Sequence, residues 1–296
     1  MPLPDNSADT FNRLRPRLIR IAYRMLGSVA EAEDIVQEGF IRWHQADRSA
    51  VRNEEAFLVR TITRLCLDHL KSARVRRETY VGSWLPEPIF DPSEDESDND
   101  ITLTLMMALE RLSPLERAAF LLHDVFGQDF NQISKAIGRD PATCRQLASR
   151  ARSHVQQAKP RFPVSDEQGQ NIAKAFFDAS RSGDMQALQS LLADDVVMYA
   201  DGGGIRPSTI NPIYSMAKVS RFFDGIARHV EYQSPPLLYE GMIDGLPGFV
   251  TTEFDGMPQT TALEIENGKI KTIYIVRNPE KLGHLTFAKS LPQGTA

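Results

Sequence analysis

Cysteine is nearly absent from this 296-residue chain: there are two. Cys66 and Cys144 lie far apart, each inside a helical pattern, so they give neither a disulfide framework nor the spacing of a zinc site. Both are expected in the core, in a reducing compartment, with no metal and no cofactor called for. Long apolar runs are missing too. No stretch approaches the roughly 18 apolar residues of a membrane span, and the opening MPLPDNS has neither the basic nor the apolar part of a secretion signal. The expectation is a cytoplasmic protein with no membrane contact. An excess of basic charge is also lacking: 34 Lys and Arg face 39 Asp and Glu, so global charge gives no sign of nucleic acid.

What is present is ordinary globular composition, 42% hydrophobic and 25% charged, in a chain long enough for two or three domains. Residues 1–165 carry 23 basic and 23 acidic residues, the remainder 11 and 16. The N-terminal cations are mostly Arg and fall in stripes, which suits phosphate and base contacts better than scattered Lys does.

Leu14, Leu18, Ile21 and Met25 recur at helical spacing, and Gly27 can end that helix. Ser28 with Glu31 forms a capping-box pattern opening a second helix, with core face Ile35, Val36, Phe40 and Trp43. Its other face shows Asp34, Gln37, Glu38, Ile41 and Gln45, which periodicity alone reads as solvated. Asn53 can cap a third helix through Leu58, Ile62, Leu65 and Leu70, flanked by Arg60, Arg64, Lys71, Arg74, Arg76 and Arg77. An acidic linker, IFDPSEDESDND, follows.

Beyond it, Ser113, Pro114 and Glu116 supply an N-cap, a first-turn proline and a capping acid. Asp129 to Ile137 reads as a short helix closed by Gly138, and Asp140 with Pro141 starts another at once. In that last helix Cys144, Ala148, Ala151 and Val155 form a buried stripe, while Thr143, Arg145, Gln146, Ser149 and Arg150 point away. Arg can bridge guanine O6 and N7, Gln can pair with adenine, and Arg150 and Arg152 can hold phosphates. An ordinary helical hairpin with a solvated Arg face is the competing reading.

RMLGSVAEAEDIVQEGFIRWHQ, the Arg-rich third helix, and LSPLERAAFLLHDVFGQDFNQISKAIGRDPATCRQLASRARSHV together resemble regions 2 and 4 of bacterial extracytoplasmic-function sigma factors, over about residues 10–160. The pentapeptide Trp84, Leu85, Pro86, Glu87, Pro88 is similar to a motif of one subgroup, whose members carry a fused SnoaL-like, NTF2-like C-terminal domain. The resemblance implies a multidomain chain: two all-α domains, region 2 at 8–80 and the helix-turn-helix of region 4 at 101–160, a linker at 81–100, and an α+β cone at 166–285. In the last part, DEQGQNIAKAFFDASRSGD, MQALQSLLADDV and SMAKVSRFFDGIARHV read as helices, VVMYADGGG as strand and turn. Hairpin breaks are expected at Asp255-Gly256 and Asn267-Gly268. The run Asp201, Gly202, Gly203, Gly204 and the segment Asn278, Pro279 to Leu282 look like further subgroup motifs, although Ile205 stands where a basic residue is more usual.

By that similarity the protein is not an enzyme. Its partners would be core RNA polymerase, through the beta-prime clamp helices and the beta subunit, and promoter DNA. The exposed face of the second helix becomes an interface, the third helix and the loop Asp47 to Arg52 open the −10 element and hold an extruded base, and region 4 reads the −35 element. Trp84 is expected either to dock on the C-terminal domain or to cap the region 2 core. The alternative function is a small ligand or an isomerase-type reaction in the C-terminal cavity, with Tyr199, Asp201, His229, Tyr239, Glu253 and Tyr274 as polar candidates.

Overall fold

Capping residues set most of the helix starts in the computed structural model, which describes residues 7–78, 80–90, 102–156, 165–229 and 235–285. Two compact units result, Met1–Thr79 with Thr104–Lys159, and Tyr80–Leu103 with Pro160–Ala296. Among the described residues no helix is long and apolar enough to cross a membrane.

The first unit opens with α1 (Ser7–Leu26), α2 (Val29–Gln45) and α3 (Glu54–Glu78). Ser28 Oγ accepts the Glu31 N–H at 3.2 Å and Asn53 Oδ1 accepts the Ala56 N–H at 2.8 Å, so both predicted caps operate. Leu18, Ile21, Met25, Trp43, Leu58 and Ile62 are fully buried between the three helices. Gly39 makes room for Ile62 there: a Cβ would lie 2.4 Å from Ile62 Cδ1, so that side chain would have to shift. Then come α4 (Leu103–Glu110), α5 (Pro114–Phe120), α6 (Phe130–Ile137) and α7 (Pro141–Gln156). Ser113 with Glu116 and Asp129 with Gln132 form complete capping boxes, and Gly138, at φ 68°, ends α6 in the left-handed region. A π-helical turn, Leu121–Val125, extends α5; no sequence pattern announced it. The Arg117 guanidinium is buried, donating to the Met25 carbonyl at 2.6 Å and the Leu109 carbonyl at 3.0 Å and pairing with Glu110. It adds a charged donor to carbonyls near the ends of α1 and α4, of which that of Leu109 also accepts the Leu112 N–H at 3.1 Å.

The second unit holds α8 (Asp166–Ser182), α9 (Met185–Leu191), β1 (Leu192–Asp201), β2 (Ile213–Tyr214), α10 (Met216–Ala227), β3 (Leu237–Ile243), β4 (Leu246–Thr252), β5 (Pro258–Glu266) and β6 (Lys269–Val276). The sheet order is β2-β1-β6-β5-β4-β3, with β1 and β6 parallel and the other pairs antiparallel. Bulges in β1, β3 and β6 bend it. Helices α8 and α10 cover one face through Phe176, Phe223, Val219, Met198, Phe249 and Leu263. This is the α+β architecture expected.

One boundary differs. The stretch Leu192–Val196 is strand rather than the end of a helix. Leu192 and Val196 share a helical spacing, but the bulge between Leu192 and Val197 also brings both to the core face of β1, leaving Asp194 and Asp195 outside. Both predicted hairpin turns occur, with Gly256, Asn267 and Gly268 at positive φ. A third, Asp244-Gly245 at φ 48° and 68°, joins β3 to β4.

Candidate functional site

On α2, Asp34, Gln37, Ile41 and Gln45 are exposed and Glu38 is half-buried, so the five predicted residues share one accessible face. Ile41 is 42% exposed among carboxylates, and Glu38 accepts from Arg42 Nε at 2.9 Å. An apolar side chain in an acidic surround has the make-up of a protein interface, an apolar centre within a polar rim.

The predicted DNA contacts divide into engaged and open groups. Arg64 donates to the Lys135 carbonyl at 2.9 Å and the Ala136 carbonyl at 3.3 Å, at the negative end of the α6 dipole. Arg60 lies 5.5 Å over the Phe57 ring, and Lys71 pairs with Asp68 at 2.7 Å. The side chains of Arg74, Arg76 and Arg77, and the acidic linker from Asp91 to Asp100, lie outside the described residues. On α7, Gln146, Ser149 and Arg150 are exposed, and Arg145 stands 5.5 Å over Phe130. Thr143 is half-buried and serves the helix start: its hydroxyl donates to Asp140 Oδ2 at 2.6 Å, which holds the Asp140 carboxyl below its ordinary range. Arg152 pairs with Asp124 at 2.5 Å. The two cysteines are buried, and burial pushes both thiols up, which disfavours the thiolate form.

The Trp-Leu-Pro-Glu-Pro segment belongs to the second unit, where a buried ion pair receives it. Asp201, with no exposed surface, accepts Lys281 Nζ at 2.7 Å and the Leu85 N–H at 2.9 Å on one oxygen. On the other it accepts Tyr80 Oη at 2.6 Å and the Gly203 N–H at 3.0 Å. Lys281 also donates to the Leu85 carbonyl, and its ammonium lies 4.2 Å from the Trp84 ring and 4.9 Å from that of Tyr80. Trp84 and Tyr80 thus form two walls of an aromatic cage around an internal cation. Burial, together with the hydrogen bond to the Asp201 carboxylate, raises the Tyr80 pKa well above that of a free tyrosine. Leu85, Pro86, Glu87 and Pro88 are buried. Asn278 Nδ2 donates to Tyr80 Oη at 2.9 Å and caps the turn Pro279–Lys281.

The glycines explain why this loop tolerates nothing larger. A Cβ on Gly203, which sits at φ 65°, would approach Asn278 Nδ2 to 2.3 Å, and one on Gly202 would meet the Arg206 carbonyl at 2.2 Å. The basic residue missing at Ile205 comes one position later: Arg206 is buried and pairs bidentately with Asp255 at 2.7 and 2.8 Å. Burial alone would raise the Asp255 pKa; the Met257 N–H and the Arg206 guanidinium outweigh it and lower it.

Farther along the linker, Ile89 exchanges hydrogen bonds with Asp244, and Phe90 bridges to Ile243 and stacks on Tyr239 at 4.3 Å. Leu103, where the described chain resumes into α4, donates its N–H to the Asp244 carbonyl at 2.9 Å. The Asp244-Gly245 turn therefore fastens the linker at both ends. Lys281, Tyr80, Asp244 and Arg206 were missed by sequence reasoning; the lysine inside the NPEKL segment was the one available signal.

The polar candidates in the C-terminal unit do not converge. Tyr199 stacks on Tyr274, Asp201 binds the linker, Tyr239 stacks on Phe90, and exposed His229 lies just past the C-cap of α10. Glu253 is buried against Arg181 at 2.8 Å and Thr251 at 2.6 Å. The space between helices and sheet is filled by aromatic and aliphatic side chains, which does not favour the alternative of a reaction there. Among the described residues no cluster of His, Cys, Asp and Glu could hold a metal.

Comparison with known proteins matches the Sigma-70 region 2 family to residues 10–76 and the Sigma-70 region 4 family to residues 102–155. The chain is 35% identical over 290 residues to the ECF RNA polymerase sigma factor SigJ of Mycobacterium tuberculosis, covering 92% of this chain and 91% of that one. It is 32% identical over 278 residues to SigI of the same organism, covering 92% and 93%. The crystal structure of SigJ aligns with a TM-score of 0.75 at 31% identity, covering 95% of this chain and 100% of that one.

Proposed function

Because the chain belongs to the family of extracytoplasmic-function RNA polymerase sigma factors, we propose a division of labour among its parts. The protein is a promoter-specific initiation factor, and its partners are core RNA polymerase and promoter DNA. Residues 8–80 act as region 2. There Asp34, Gln37, Glu38, Ile41 and Gln45 meet the clamp helices of the beta-prime subunit, and α3 with the loop Asp47 to Arg52 opens the −10 element. Residues 101–160 act as region 4, contacting the beta subunit and reading the −35 element through Arg145 and Gln146, with Arg150 on phosphate. Two modest DNA modules on one tether gain affinity through effective concentration, so the tether is the natural point of control. The work of the protein is recognition, in the cytoplasm, without chemistry of its own.

Control falls to the C-terminal domain, residues 166–285. The observation that carries this reading is the Asp201–Lys281 pair gripping Leu85 on both its N–H and its carbonyl. Together with the Asp244 clamp it fastens the covalent path from α3 to α4, so the C-terminal domain sets how far region 4 can travel from region 2. Reconstituted transcription tests it: Trp84→Ala and Lys281→Met should change the yield from a promoter with fixed −10 and −35 elements and alter the tolerated spacing between them. Unchanged yield and spacing in both would remove the regulatory assignment.

A further inference from the structure

Past β6 the chain runs beside the linker and in the same direction: Asn278 meets Tyr80, Lys281 meets Leu85, and His284 reaches Pro88. At that last contact His284 Nε2 lies 2.8 Å from the Pro88 carbonyl oxygen, and Nδ1 lies 4.0 Å from a carboxylate oxygen of Glu87. A carbonyl oxygen only accepts, so Nε2 carries a proton and donates. In the neutral ring Nδ1 is then a lone pair beside a carboxylate, whereas in the imidazolium it is a second N–H. Both ring nitrogens have acceptors beside them, and only the charged ring has a donor for each. The Glu87 side chain is 10% exposed, so a cation gained at that distance acts on it with less screening than on a surface carboxylate.

Among the described residues no other charged group lies within ion-pair distance of His284. On its own turn, Glu280 is exposed and its charge acts on Tyr80, while Lys281 is held by Asp201. On the sheet side, Asp244 takes the Ile89 N–H at 3.3 Å. Of the six histidines in the chain, only His229 and His284 belong to the second unit. We propose that His284 and Glu87 form a pH-sensitive clasp, which fastens the linker to the C-terminal domain more tightly when the imidazole takes up its second proton. Imidazole is the side chain whose ordinary charge change falls between pH 5 and 8. The docked linker favours the protonated ring, so its grip is fullest at the acid end of that range and loosens as pH rises through it. The clasp stands on the contact alone. Its consequence rests on the proposed control of region 4 by the linker, since a looser linker at higher pH lets region 4 travel farther from region 2.

Native-state hydrogen exchange of the full chain tests it, with the Leu85 and Ile89 amides as reporters because both donate to carboxylates of the C-terminal domain. Corrected for the intrinsic pH dependence of exchange, their protection should fall about two- to fivefold between about pH 5.5 and 8, the worth of one partly exposed ion pair. His284→Gln keeps an amide donor for the Pro88 carbonyl but has no charge to gain, and Glu87→Gln removes the carboxylate. Each should make the corrected protection independent of pH over that range. His229→Gln, at the exposed histidine beyond α10, should keep the full slope. Protection that does not change with pH in the unaltered chain would overturn the clasp, as would protection that rises with pH. A slope retained in His284→Gln or in Glu87→Gln would overturn it equally. Transcription at the same two pH values separates the clasp from its consequence: a protection slope lost in both variants with an unchanged promoter-spacing profile keeps the clasp and removes the control assigned to the linker.

Discussion

Replacing Lys281 by Met keeps the length and apolar stem of the side chain and removes its charge. Asp201, with no exposed surface, then keeps its Leu85, Gly203 and Tyr80 donors but loses its cation, while the Leu85 carbonyl and the Trp84 ring lose theirs. Breaking a buried pair by removing one partner costs about 3 to 5 kcal/mol. At 1.4 kcal/mol per decade, even the lower figure moves the docked-to-released ratio of the linker by about a hundredfold. Native-state hydrogen exchange reads this at two amides, because the Leu85 and Gly203 N–H groups both donate to Asp201. Leu85 exchange should accelerate by about two orders of magnitude. Denaturant melts should show a loss confined to the C-terminal unit, and protease cleavage between Val81 and Phe90 should rise. Lys271→Met is the control: Lys271 and Asp195 form a solvent-exposed pair, and its loss should cost less than about 1 kcal/mol. Unaltered Leu85 protection in Lys281→Met, with a stability loss no larger than the control, would show that Lys281 does not hold the linker.

Reversing charge at both Asp34 and Glu38 should weaken core polymerase binding by about 1 to 4 kcal/mol in a fluorescence titration while the helix stays folded; unchanged affinity would remove the α2 interface. Arg145→Ala or Gln146→Ala should relax base preference in the −35 element by about 1 to 3 kcal/mol. Arg150→Ala should instead weaken all sequences and reduce the salt slope by about one unit. Arg152→Ala should do less, since Arg152 must first release Asp124. Tyr80 carries a pH signature. Its folded pKa is raised, so the stability it contributes is whole below the free-tyrosine value near 10 and is lost as pH climbs above it. Tyr80→Phe should flatten that part of the alkaline stability profile, and an identical slope in the variant would contradict the Asp201 contact.

The helical half was legible because its signals are local. Ser28, Asn53, Ser113 and Asp129 cap their own helices, and Gly138 ends α6, within a few residues of where pattern alone places them. The C-terminal sheet was legible where turn chemistry is explicit, at Asp255-Gly256 and Asn267-Gly268. It was misread at Leu192–Val196, where a bulge gives a strand the spacing of a helix. The linker site was half legible. Trp84 and the DGGG run stand out by composition, but their meeting depends on Lys281 and Tyr80, which sit about 200 residues apart in the chain and carry no local pattern. The polar candidates of the C-terminal domain were undecidable for the same reason: alternation along a strand identifies polar residues without showing which share a face with which neighbours.

On the proposed division of labour, this chain recruits core RNA polymerase to a promoter and the grip on its linker governs how. Purified transcription measures both at once, with core polymerase and a genomic promoter library, comparing the intact chain with Lys281→Met. Core enzyme alone should yield no specific starts, the intact chain should yield starts at promoters sharing −10 and −35 elements, and Lys281→Met should broaden the permitted spacing between those elements. Specific starts without the chain, or a spacing profile identical for the two proteins, would contradict it.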